Sequence, residues 1–301
     1  MLTSRLGVGD KINPMTYTTT ISIDELSRFL GETDWAVLDC RYSLADPGSG
    51  RLAYQAAHVP GAVYVHLDED LCAPVVPGKT GRHPLPPVGK LAESFSRWGI
   101  ERGVQVVVYD DYPGGSGAIA ARCWWSLRYL GHAAVAVLDG GWVRWRAAGL
   151  PARVGVEERH RRQFVADVQP HMLASVDDVQ AARFDPAYRL FDSRSPDRYH
   201  GENETIDPVA GHIPGAISAP FAENLGEDGL FLPQQALRAR FEKLLQGVAP
   251  EQAIFYCGSG VTAGHNLVAM AHSGLGIPPL YLGSWSEWIT DPSRPVAVGL
   301  D

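Results

Sequence analysis

The sequence predicts an α/β protein made of two tandem domains, each a mostly parallel sheet flanked by helices. Three observations carry this reading. First, the chain contains itself twice. Ala36-Val37-Leu38-Asp39-Cys40-Arg41, followed by His58-Val59-Pro60-Gly61-Ala62, returns as Arg189-Leu190-Phe191-Asp192-Ser193-Arg194, followed by His212-Ile213-Pro214-Gly215-Ala216. Likewise Val106-Val107-Val108-Tyr109-Asp110 is matched by Ala253-Ile254-Phe255-Tyr256-Cys257, and Gly141-Trp142-Val143-Arg144-Trp145 by Ser284-Trp285-Ser286-Glu287-Trp288. Second, both copies alternate short β-branched runs with stretches of helical periodicity, the pattern of a parallel sheet with crossover helices. Third, 301 residues at 45% hydrophobic and 20% charged are enough for two cores.

In chain order, residues 1–16 read as an N-terminal extension, which holds Gly, Asp, Lys, Asn and Pro but no apolar run of signal-peptide length. The first copy, 17–150, has strands over 104–109 and 134–138 enclosing a helix over 118–130 with apolar residues at helical spacing. Residues 151–171 contain Glu157-Glu158-Arg159-His160-Arg161-Arg162 between flanking prolines, and read as a solvated linker crossing the surface. The second copy, 172–301, repeats the plan with strands over 253–256 and 279–282 and a helix over 261–272.

A net charge of −8, pI near 5.7 and no basic run interleaved with aromatics give no field for nucleic acid. No apolar run reaches the about 18 residues a membrane span needs, so no membrane partner and a cytoplasmic location are expected. The four cysteines are widely spaced, without a C-x-x-C pair or a Cys/His cluster. That pattern suggests reduced thiols, with neither a disulfide framework nor a zinc site.

Chemistry concentrates at Cys257-Gly258-Ser259-Gly260-Val261-Thr262, where an apolar strand empties through a glycine-rich turn into a helix. Backbone N–H groups and the positive end of the helix dipole then converge on one sulfur, which favours the thiolate, the nucleophilic form. The bland alternative is a buried cysteine acting as a small hydrophobe. A merely packed cysteine does not need bare backbone on both sides of Ser259, which favours the reactive reading. The first copy carries Asp110 at the matching position, followed by Asp111. A carboxylate cannot carry sulfur, so this copy reads as catalytically silent, supplying one wall of an interdomain cleft, with Asp110 also capping the helix that begins near Ser116.

These residues resemble a known family. The Cys-Gly-Ser-Gly-Val-Thr loop at 257–262, the twin His-(Val/Ile)-Pro-Gly-Ala segments, the Asp-x-Arg strand ends and the Trp-x-x-Trp tails look like a two-domain rhodanese-type sulfurtransferase. Within it, the Gly-Ser-Gly loop is most similar to that of the 3-mercaptopyruvate sulfurtransferases. The resemblance implies a Cys257 persulfide that takes sulfur from 3-mercaptopyruvate or thiosulfate. It would pass the sulfur to cyanide or an acceptor thiol such as thioredoxin, with no metal or organic cofactor. By the same resemblance, Ser259, His83 and Asp68 form a proton relay spanning both copies. Arg198 holds the donor carboxylate, and Gly258, Gly260, Val261 and Thr262 line the donor site.

One departure stands out. A second substrate-binding arginine is expected within 202–210, but that stretch reads Glu-Asn-Glu-Thr-Ile-Asp-Pro-Val-Ala. Losing one cation should weaken donor binding by about 1.5 to 3 kcal/mol unless another group such as Arg82 substitutes. Thiosulfate therefore stays open as the donor, and a non-catalytic binding protein built from such domains stands as the alternative of another class, contradicted by Cys257. A cysteine-loop phosphatase would need an arginine about six residues after the Cys, where Ala263 and Gly264 stand. His58 and His212 recur in both copies and read as turn-shaping. Asp39/Arg41 and Asp192/Arg194 read as structural ion pairs, and Trp142, Trp145, Trp285 and Trp288 as core or interdomain anchors. His265 lies too far along its helix to serve Cys257.

Overall fold

A computed structural model describes residues 16–112 and 117–299; most of the expected N-terminal extension, and Ser116, lie outside them. The first sheet comprises β1 (Thr20–Ile21), β2 (Trp35–Asp39), β3 (Ala62–Tyr64), β4 (Gln105–Tyr109) and β5 (Val135–Leu138), in the order β1-β5-β4-β2-β3. The second comprises β6 (Leu173–Ala174), β7 (Arg189–Asp192), β8 (Ala216–Ser218), β9 (Ala253–Tyr256) and β10 (Leu280–Tyr281), in the order β6-β10-β9-β7-β8. Every pairing in both sheets is parallel. All of β4 and β9 is buried, as continuous apolar strands covered on both faces should be. Both sit at the centre of their sheet, where the strand order reverses, and at such a switch point the carboxyl ends of the strands leave a crevice. Asp110 follows β4 and Cys257 follows β9.

The expected helices appear as Ala120–Tyr129 and Ala263–His272, a residue or two shorter than the pattern suggested at each start. They pack against each other and join the domains through one shared apolar core, which includes Trp124, Trp125, Leu127, Leu267, Val268 and Met270. The four tail tryptophans are not interdomain anchors. Trp142 and Trp145 belong to a core confined to the first domain, and Trp285 and Trp288 to its counterpart in the second. Trp145, Trp285 and Trp288 each give their indole N–H to a carbonyl of their own domain, those of Pro151, Val209 and Pro295.

The helix crossing depends on a missing side chain. A Cβ at Gly264 would lie 3.0 Å from the Ala121 carbonyl oxygen and 3.3 Å from its Cβ. Gly264→Val is expected to force the helices apart and lower stability by about 1 to 3 kcal/mol, against a small gain in helix propensity. An unchanged urea midpoint would show that the close approach is dispensable.

The 151–171 segment is strapped along the first domain. Arg161 and Arg162 pair with Glu93 and Glu101, the Phe164 ring is buried, and its N–H donates to Ser96 Oγ. The repeated residues are structural. Asp39 and Arg41 are paired at 2.6 Å and Asp192 and Arg194 at 2.5 Å, all four buried. His58 and His212 stack on Tyr54 and Tyr199 and bond to the carbonyls of those same residues.

Candidate active site

The turn after β9 is shaped for an anion. Gly260 has φ +72°, and a Cβ there would collide with the Leu282 carbonyl, so only glycine lets the loop lie against the start of the next strand connection. The Cys257 N–H donates to Ser284 Oγ at 3.1 Å, which fixes the strand end. The sulfur is buried, and burial alone raises a thiol's pKa. Against this, the Thr262 hydroxyl and the N–H groups of Ser259, Ala263 and Val261 donate to it, and the net shift is downward. Two other cysteines show what burial does without a cradle. The Cys40 thiol is pushed well up, and that of Cys72 up to about 11.

The first domain has the same cradle, filled by a carboxylate. The Asp110 carboxylate accepts N–H bonds from Gly117, Ile119 and Ala120 at 2.7 to 2.8 Å and from Tyr112 at 3.2 Å. It thereby caps the following helix. Burial still pushes its pKa up to about 6.

Ser259, His83 and Asp68 are brought together as expected, across the domain boundary. Ser259 Oγ lies 2.8 Å from His83 Nδ1, and His83 Nε2 lies 3.4 Å from Asp68 Oδ1. Burial pushes the imidazole below its ordinary pKa, against the pull of Asp68. The bond from His83, with a second at 2.6 Å from the Tyr42 hydroxyl, holds the Asp68 carboxyl below the usual range despite partial burial. At neutral pH His83 is therefore uncharged, with Nε2–H directed at Asp68 and Nδ1 free to accept from Ser259.

Arg198 stands beside the loop, and a second guanidinium, that of Arg82 in the first domain, reaches the same place. A Cβ at Gly258 would lie 3.1 Å from Arg82 Nη2 and 3.5 to 3.6 Å from the two terminal nitrogens of Arg198. The two guanidiniums and His83 join Cys257, Gly258, Ser259, Val261 and Thr262 around a small cavity of about 60 Å³. Both arginines are also held from behind. Asp207 bridges them, at 3.1 Å to Arg198, and Glu204 grips Arg198 Nε and Nη2 at 3.0 and 2.9 Å.

Four participants escaped the sequence reading. Tyr42 stands beyond the first Asp-x-Arg and carried no motif. Glu204 and Asp207 registered only as the lack of a base. Arg122 is a charged residue in the middle of the apolar helix, and that anomaly was the one readable signal.

The Rhodanese-like domain family matches residues 22–148 and 175–291. A Pseudomonas aeruginosa protein named a probable 3-mercaptopyruvate sulfurtransferase is 48% identical over 93% of this chain and 98% of its own. Arabidopsis thaliana thiosulfate/3-mercaptopyruvate sulfurtransferase 1 is 33% identical over 92% of this chain and 77% of its own. The solved 3-mercaptopyruvate sulfurtransferase from Leishmania major superposes with a TM-score of 0.78 at 31% identity, covering 92% of this chain and 75% of that one. With both halves matched, one cradle armed with a thiol and the other closed by a carboxylate, the chain belongs to the rhodanese-like family as a tandem two-domain sulfurtransferase.

Proposed function

We propose that the protein moves a sulfane sulfur from 3-mercaptopyruvate to a thiol or to cyanide through a Cys257 persulfide. The observation that carries this is the Cys257 sulfur, buried yet lowered in pKa by four hydrogen-bond donors and faced by two arginines. The donor carboxylate docks on Arg198 and Arg82, which sets its sulfur over the thiolate. As the S–S bond forms, the C–S bond breaks and its electron pair passes to carbon as the enolate of pyruvate. The thiol proton of the donor moves to Ser259 as Ser259 gives its own to His83 Nδ1, and the imidazolium is held by Asp68. The proton then returns through Ser259 to carbon, and pyruvate leaves. An acceptor thiolate or cyanide attacks the outer sulfur and restores the Cys257 thiolate.

Incubating the protein with 3-mercaptopyruvate should add one sulfur to Cys257 and release one pyruvate. Absence of both would overturn the reading in favour of a non-catalytic binding protein. Ser259→Ala should slow turnover with 3-mercaptopyruvate about a hundredfold while leaving thiosulfate turnover within a few-fold, because sulfite departs without needing a proton. Equal slowing with both donors would remove the relay from the mechanism. Since His83 must be neutral to accept, 3-mercaptopyruvate turnover should hold through neutral pH and fall only in acid, below the ordinary histidine pKa.

A further inference from the structure

The acidic 202–210 stretch does more than omit an arginine. Asp207 and Glu204 expose only 1% and 2% of their side chains, whereas Arg82 and Arg198 expose 28% and 17%. The carboxylates thus lie behind the guanidiniums, away from solvent. Glu204 is itself anchored by the N–H groups of Ile206 and Asp207 at 2.9 and 3.0 Å. Burial raises the Glu204 carboxyl, but those amides and Arg198 outweigh it and the net shift is down. Asp207 takes Arg82 Nη1 and Arg198 Nη2, and Glu204 takes Arg198 Nε and Nη2. Three guanidinium nitrogens keep no bond to any described residue: Arg82 Nε, which is buried, and Arg82 Nη2 and Arg198 Nη1, which lie beside Gly258 next to the sulfur.

The pocket therefore offers two oriented donors with little net positive charge. A single carboxylate can accept from both, and its charge is met by charge-assisted hydrogen bonds. A dianion brings a second charge to a partly buried, low-dielectric space whose two arginines are already paired, with Asp207 and Glu204 behind them.

We propose that Asp207 is the specificity-determining residue of the donor site, neutralising Arg82 and Arg198 so that the pocket selects a monoanionic keto-thiol over dianionic thiosulfate. This rests on the sulfur-transfer reading above. Asp207→Asn keeps the shape and removes one negative charge. It should shift the ratio of kcat/KM for thiosulfate to that for 3-mercaptopyruvate about tenfold toward thiosulfate. A general loosening of the loop would lower both together and leave their ratio fixed.

The wild-type protein gives an independent measurement. Sulfate, an inert dianion, should inhibit 3-mercaptopyruvate turnover at least about tenfold more weakly than pyruvate, a monoanion, and Asp207→Asn should narrow that gap. A donor ratio that stays put or moves toward 3-mercaptopyruvate in the variant overturns the inference, as does tight sulfate inhibition of the wild type. Transfer from neither donor would instead sink the sulfur-transfer reading, and the inference with it.

Discussion

Cys257→Ser is expected to abolish sulfur transfer from every donor, lowering kcat/KM by about 10⁴-fold or more, the scale of effect seen when a covalent nucleophile is removed. The hydroxyl would occupy the same ring of donors, formed by Thr262 and the amides of Ser259, Val261 and Ala263, so the loop has no reason to change shape. What is lost is chemical. An alcohol is not ionised by hydrogen bonds of this strength, and oxygen cannot hold a second sulfur as a stable, transferable persulfide. The check is steady-state transfer together with the intact mass after exposure to donor. Residual turnover above background would require another cysteine. Cys40 and Cys72 are poor replacements, because burial raises both thiols and leaves them protonated at neutral pH.

The duplication shows which part of this site belongs to the fold and which to the chemistry. The two cradles stand at the carboxyl ends of corresponding central strands, and each follows its strand with a loop of amides and a helix. The fold therefore supplies the anion site, and one residue decides its use. Asp110 fills its own site with a fixed anion, while the Cys257 cradle holds a thiol that lines a small cavity. This contrast was readable from the sequence, because the pairing of Asp110 with Cys257 follows from aligning the chain against itself. The sheets were readable for the same reason: strand runs such as Val106-Val107-Val108 are buried on both faces and carry no alternation to confuse.

The meeting of Asp68, His83 and Ser259 was readable only through the family resemblance. Nothing in the spacing of Asp68, His83 and Ser259 says that they meet; a crossing of two helices at a glycine brings their domains together, and that contact is tertiary. The acidic clamp went unread for a related reason. Glu204 and Asp207 look like solvated charges in sequence, and their burial depends on two arginines, one of them far away in the chain. The tryptophans were left between core and interface for the opposite reason. Large apolar residues can anchor any interface, and only the packing assigns them to each domain's own core.

Arg122→Met is expected to give the second-largest effect, through a group that touches no substrate. Arg122 lies in the first domain, is fully buried, and meets no carboxylate among the described residues. Its Nη1 donates to the Gly260 carbonyl at 2.8 Å, and its Nη2 to those of Leu71 and His83 at 3.1 and 3.2 Å. One guanidinium thus ties the nucleophile loop, the relay histidine and the end of the helix that carries Asp68. Burial lowers its pKa, and the charges that offset this are the thiolates of Cys72 and Cys257. Since Cys72 is protonated at neutral pH, the countercharge is the nucleophile itself. Replacing the cation with methionine should raise the Cys257 pKa and slow its alkylation at neutral pH about tenfold or more. In strong base, where both proteins are fully ionised, the rates should converge. Three carbonyls would also lose their donor, so stability should fall by about 2 to 4 kcal/mol. Arg122→Lys separates the two roles: a charge at the same place should restore much of the thiol's acidity, while its single nitrogen cannot reproduce the fork and the melting temperature should stay low. If the alkylation midpoint of Arg122→Met matches that of the wild type, Arg122 contributes architecture to the Cys257 loop and no charge.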